Sequence, residues 1–153
     1  MLQARFLVDI RRNPCNEAIL ERWDALELPD GWLVAGCLFE TVWNVRTGQP
    51  PMADIHDYDV FYYDRSDLSH EAEDRVIRRV LAVFDGLPAT IEVKNQARVH
   101  LWYRDKFDHD YPALRSSLDG IGRFLVECTC VAVGCSSGQP PPVHARYGLD
   151  DMH

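Results

Sequence analysis

The stretch "DIHDYDVFYYD", Asp54–Asp64, decides how the chain is read, because β-forming residues crowd its second half and carboxylates crowd its first. "DYDVFYYD" reads as a strand on its tyrosines, valine and phenylalanine. Side chains two apart on a strand project to the same side, so Asp57 and Asp59 stand together. Like charges at that spacing repel. They tolerate each other best with a cation between them, and hard divalent ions take such oxygen ligands, one or two carboxylates at a time. Taken alone, such a pair is commoner on solvent faces and strand edges than at a metal site.

Outward from this strand the signals alternate. "SHEAEDRVIRRVLAVF" (69–84) reads as a helix, with Ser69 as cap, acids in the first turn and an apolar stripe of Val76, Ile77, Val80, Leu81 and Phe84. After the break "DGLP", the segment "ATIEVKNQARVHLWY" (89–103) alternates throughout and reads as one long strand, bulged or bent near "NQ". Val93, Ala97, Val99 and Leu101 take one side; Glu92, Lys94, Gln96, Arg98, His100 and Trp102 take the other. Upstream, "NPCNEAILERWDALEL" (13–28) reads as a helix capped by Asn13 with Pro14 in its first turn. "WLVAG" reads as a short strand and "CLFETVWNVR" as a helix ending at the loop "TGQPP". Downstream, "RDKFDHDYPALRS" reads as a loop, "SLDGIGRFLVE" as a glycine-weakened helix, "CTCVAVGC" as a strand and "SGQPPPVHA" as a loop. The order predicts an α/β (α+β) fold, a small mixed β-sheet flanked by helices, in one domain over residues 1–153.

Composition narrows the function. The 153 residues are 46% hydrophobic and 26% charged, as in an ordinary globule with a core. No apolar run reaches the ~18–20 residues that span a bilayer, and "MLQARFLVDIRR" lacks the pattern of a signal peptide. A net charge of −8 disfavours extended nucleic-acid binding, but small anions brought in by metal ions remain open. The five cysteines, Cys15, Cys37, Cys128, Cys130 and Cys135, are odd in number, which suits a reduced, cytoplasmic protein. Cys128 and Cys130 stand too close for the usual zinc knuckle, so "CTCVAVGC" reads as apolar strand residues, with zinc the alternative.

Glu92 opens the polar side of the segment that follows the crossover helix, so it is the candidate third carboxylate beside Asp57 and Asp59. Lys94, Arg98 and His100 on the same side could contact phosphate oxygens. A salt-bridged sheet surface is the competing account of these charges, a packed histidine that of His100, and core or interface that of Trp102.

Taken in order, "LPDGWLVAG", "VWN", "DYDVFYYD", "EVKNQARVHLWY" and "YGLDDM" resemble the bacterial nucleotidyltransferase-like family of unknown substrate, within the DNA polymerase β-type superfamily. The resemblance runs from about Phe6 to the end. It implies a mixed sheet with a glycine-containing turn under the triphosphate, here "AGCLFE", with Gly36 in the glycine's place and Cys37 after it. It implies two strand carboxylates holding Mg²⁺ (or Mn²⁺), here Asp57 and Asp59. It implies a third carboxylate that completes the metal site and helps deprotonate a hydroxyl, here Glu92. The reaction implied is transfer of a nucleotidyl group from an NTP to a hydroxyl acceptor. The chain departs from the family's pattern at Cys37, where serine is usual, and at Asn44, where an acid is expected. "RTGQPPMADIH" lengthens the gap before Asp57, and relatives continue past "GLDDM". These departures favour the alternative, a nucleotide-binding or regulatory module without chemistry, and a homo-oligomer is compatible with either.

Overall fold

The computed structural model describes residues 2–108, 112–123, 130–134 and 141–150. Cys128 and Cys135, and so the zinc reading, lie outside these residues, as do the last four residues of "SLDGIGRFLVE" and the end of "YGLDDM".

Six helices and five strands follow one another as α1 (Leu2–Arg11), α2 (Pro14–Glu21), β1 (Trp32–Val34), α3 (Gly36–Arg46), β2 (Asp57–Tyr62), α4 (His70–Val83), β3 (Thr90–Asn95), α5 (Val99–Phe107), α6 (Ser117–Ile121), β4 (Val131–Val133) and β5 (Val143–Ala145) among the described residues. The sheet has the order β3-β2-β1-β4-β5. β2 and β3 run parallel; the other neighbours are antiparallel. A parallel pair needs a crossover, and α4 supplies it. This is the small mixed sheet with flanking helices that the sequence predicts.

One face of the sheet carries Leu33, Tyr58, Val60, Ile91, Val93, Val131 and Val133, packed with Phe6, Ile10, Ile19, Leu38, Val42, Val80 and Phe84 of the helices. A buried polar network fastens this layer. Asn13 caps α2, its Oδ1 accepting from Cys15 N (2.9 Å), while its Nδ2 donates to Tyr58 Oη (2.9 Å) and Thr41 Oγ1 (3.1 Å). Thr41 Oγ1 donates in turn to Cys37 O (2.6 Å), and Asn16 Nδ2 donates to the same carbonyl (3.0 Å). The α2 cap, the first turn of α3 and β2 are thus one hydrogen-bonded unit, and the start of α3 cannot drift from β2.

Four expectations change. The helix expected over 13–28 is α2 followed by a 3-10 turn at Trp23–Leu26. Val143–Ala145, expected as loop, pairs with β4 as an edge strand. Part of the expected loop after Tyr103 is the end of α5. The largest change falls on "ATIEVKNQARVHLWY": only Thr90–Asn95 is strand, followed by a 3-10 turn at Gln96–Arg98 and by α5. Asn95 ends the strand. Its Oδ1 accepts from Ala97 N (3.0 Å) and Asp64 N (3.1 Å), its Nδ2 donates to Asp64 O (2.9 Å), and its backbone N–H goes to Glu73 Oε2 (2.8 Å). With each of these groups satisfied locally, the ladder has no reason to continue.

A candidate active site on the outer sheet face

The other face of the sheet is half apolar and half charged. Val34, Phe61, Ile121, Cys130 and Ala132 cluster there, with Trp32 and Leu118 at their margin. In register with them, Val34 pairs with Asp59, and Asp59 pairs with Glu92. Paired residues share a face, so Asp57, Asp59, Glu92 and Lys94 form the charged half. The structure therefore brings Glu92 directly beside Asp59, as the sequence predicts. Lys94 lies on the same strip, its Nζ 3.5 Å from Glu92 Oε2.

Burial pushes the Asp59 carboxyl up to about 6; Lys94 opposes the shift, while the charge and hydrogen bond of Glu92, and then Asp57, add to it. The strip holds more negative charge than one lysine offsets. Hard oxygen donors under such strain are the donor set a divalent ion takes. They are not drawn to one point, however. Among the described residues no group of three His, Cys, Asp or Glu side chains stands close enough to hold a metal. The expected three-ligand set of Asp57, Asp59 and Glu92 thus reduces to a strand pair plus a neighbour, which still fits an ion that takes most of its ligands from water and phosphate.

The α3 N-terminus reaches this strip because β1 ends beside β2. Asp59 pairs with Val34, and Ala35 then turns the chain into α3 at φ 57, ψ −123, a conformation that strains any residue with a Cβ. No side chain caps this helix. A Cβ on Gly36 would meet nothing nearer than Glu40 Oε2 at 3.7 Å, so the fold itself places no steric demand for glycine there. Cys37 is buried, its thiol directed at Val34 O (3.6 Å). Burial first, and then the Asp59 charge, push that thiol well above its ordinary range. Its side chain is neither a nucleophile nor a phosphate donor, and only its backbone N–H faces the N-terminal end. Sequence reading missed Glu40. Four residues on from Gly36, it lies one helical turn above the glycine. Burial raises its carboxyl, with His56 opposing and Asp54 adding. Asn44, which replaces an expected acid, clasps the inserted loop by donating to Pro51 O (3.2 Å) and Ala53 O (2.8 Å).

Two predicted phosphate contacts are not brought to the carboxylates. Arg98 donates to Leu68 O (2.9 Å) and forms a mostly buried ion pair with Glu73. His100 lines a separate cavity of about 580 Å³ with Tyr63, Arg65 and Arg115. Both were aligned with Glu92 by strand alternation, and the turn after Asn95 ends that alternation.

Comparison with known proteins bears on this arrangement. A solved NMR structure, described as revealing "a CCA-adding enzyme head domain", superposes with a TM-score of 0.76 at 26% identity, covering 96% of this chain and 73% of that one. No curated protein matches. A family model described as "Nucleotidyltransferase" matches residues 21–153, which take in Gly36, Asp57, Asp59 and Glu92. The chain belongs to the nucleotidyltransferase family.

Proposed function

We propose that this chain is a metal-dependent nucleotidyltransferase that moves a nucleotidyl group from an NTP to a hydroxyl acceptor. The observation that carries the reading is the placement of Asp59 beside Glu92 on parallel strands, with the uncapped start of α3 one short turn away. Asp57 and Asp59 would hold Mg²⁺ or Mn²⁺. When bound, the ion supplies the positive charge that lets a triphosphate approach an acidic strip. The N–H groups of Gly36 and Cys37, ahead of the first bonded N–H groups of α3, would cradle phosphate oxygens, and Gly36 leaves room for that approach. Lys94 neutralises phosphate charge from the β3 side. Glu92 accepts the proton of the acceptor hydroxyl, whose oxygen bonds to the α-phosphorus as the bond to pyrophosphate breaks. Positioning and charge neutralisation supply most of the acceleration. A cytoplasmic location, on the odd number of cysteines, and an acceptor smaller than extended nucleic acid, on the net charge of −8, belong to the same reading.

A second reading, nucleotide binding without transfer, is favoured by the Glu92–Lys94 pair and by the carboxylates not gathering to one point. Thermal melting with Mn²⁺ and each NTP, beside a pyrophosphate-release assay, separates the two. Under the first reading an NTP raises the melting temperature, pyrophosphate is released with a suitable hydroxyl acceptor, and Asp57→Asn abolishes both. Full transfer by Asp57→Asn would sink it; a melting shift without pyrophosphate release under any acceptor supports the second.

A further inference from the structure

The charged strip runs on into a cavity of about 210 Å³. Lys94, two residues beyond Glu92, lines its near end, and so does Phe61, two residues beyond Asp59. Two strand residues advance about 7 Å, so the cavity begins one pleat from the carboxylates. Val99, Trp102 and Tyr103 complete apolar walls with Phe61. The Trp102 and Tyr103 rings lie 6.2 Å apart at a 44° tilt.

Gln96 opens into this space. It is only 3% exposed, and its side-chain amide, which makes no hydrogen bond to another described residue, is not sealed off: its polar atoms reach the cavity. An amide held at the wall of a cavity with both its donor and its acceptor uncommitted to the protein is available to pair with a ligand that fills that space. The fold holds this amide in place. A Cβ on Gly120 would stand 2.5 Å from Gln96 Oε1 and 3.0 Å from Leu114 Cδ1, so α6 closes over the amide only because that residue is glycine.

The ligand's chemistry follows from the lining. A primary amide offers an acceptor and a donor side by side, and glutamine reads the complementary edge of a base through both. Flat aromatic walls supply a surface for stacking any base. A purely apolar ligand would leave the amide unpaired, and a cation would meet Lys94 and Arg123. We propose that this cavity is a nucleobase pocket read by Gln96, with the phosphates of the bound nucleotide directed past Lys94 to Asp57 and Asp59. Only the direction of the phosphates rests on the transferase reading; the base pocket stands on its own lining.

The test is calorimetric binding of ATP, CTP, GTP and UTP with Mn²⁺, beside inorganic tripolyphosphate and the unphosphorylated nucleosides. Wild type is compared with Gln96→Met and Trp102→Ala. Trp102 is exposed, so its variant keeps the test decisive if Gln96→Met does not fold. Both variants should lose about tenfold in affinity for at least one base, the scale of one bidentate or stacking contact, with tripolyphosphate binding unchanged. Loss confined to the NTPs assigns the pocket to the donor's base. Metal-independent nucleoside binding that is lost in the variants assigns it to an acceptor's base. The proposal is overturned if wild type binds neither nucleotides nor nucleosides. It is equally overturned if the variants bind both as wild type does, or lose tripolyphosphate in proportion. Base binding that depends on Gln96 while tripolyphosphate binding ignores Asp57→Asn would overturn the transferase reading alone.

Discussion

The two faces of β2 obey opposite rules. On the inner face Tyr58, Val60 and Tyr62 are almost wholly buried, and Tyr58 Oη meets Asn13 Nδ2 at 2.9 Å. On the outer face Asp57 is exposed, Asp59 is half-buried, and only Phe61 is covered. The inner face is packed and hydrogen-bonded, with Asn16 Oδ1 left as a buried acceptor without a partner; the outer face carries charge that the protein itself leaves partly uncompensated. A strand can do both because its side chains alternate, so rigidity built on one side aims reactive groups on the other. The teaching is that stability and chemistry are separable here by parity of residue number, and substitutions can break that separation or sharpen it.

The largest effect should come from the inner face. Tyr58→Ala removes a buried ring and strands Asn13, and should cost about 4 kcal/mol of stability, measured by urea unfolding. Next, Asp57→Asn should leave urea stability within about 0.5 kcal/mol. Under the proposed function it should lower transfer by about 10²–10³-fold, equivalent to roughly 3–4 kcal/mol in the barrier. An equal loss of stability and rate would erase the distinction between the faces. Asn13→Ala deletes the α2 cap and the bonds to Tyr58 and Thr41, so about 2 kcal/mol should be lost. That variant should also loosen the start of α3, read as faster amide exchange at Leu38 and Phe39, whose N–H groups bond to Ala35 O.

The smallest effect is a pH dependence. The Asp59 carboxyl is raised to about 6 in the folded protein by burial, against an ordinary value near 3.9. Between those values the folded state holds more protons than the unfolded one, so Asp59 makes stability fall as pH rises through that window. In metal-free protein Asp59→Asn should therefore raise the melting temperature by a few degrees at pH 8 and change it little at pH 4. Melting curves at the two pH values check this, and a uniform shift at both would mean that Asp59 is not electrostatically strained.

Much of the site was legible because it rests on local spacing. Asp57 and Asp59 share a face by strand parity, Gly36 heads α3 as the family resemblance implies, and Glu92 opens the strand after a crossover helix. Glu40 could have been found by adding one helical turn to Gly36. Arg98 and His100 could not have been excluded from the same reasoning, since "KNQARVHL" alternates as well as any strand.

By itself, the sequence determined the order of the elements around the crossover, the buried parity of β2 and the carboxylate pair on its other side, because each depends on neighbours within one turn or one pleat. Only the tertiary structure decided where the alternation ends. Asn95 is held by Asp64, 31 residues away, and by Glu73, 22 residues away. Those contacts divert Arg98 and His100, seat Gln96 beneath α6, and leave Glu92 and Lys94 at the carboxylates. A strand pattern is a local preference of the chain; a strand's end is set by whichever partner satisfies its last backbone groups, and that partner is known only after folding.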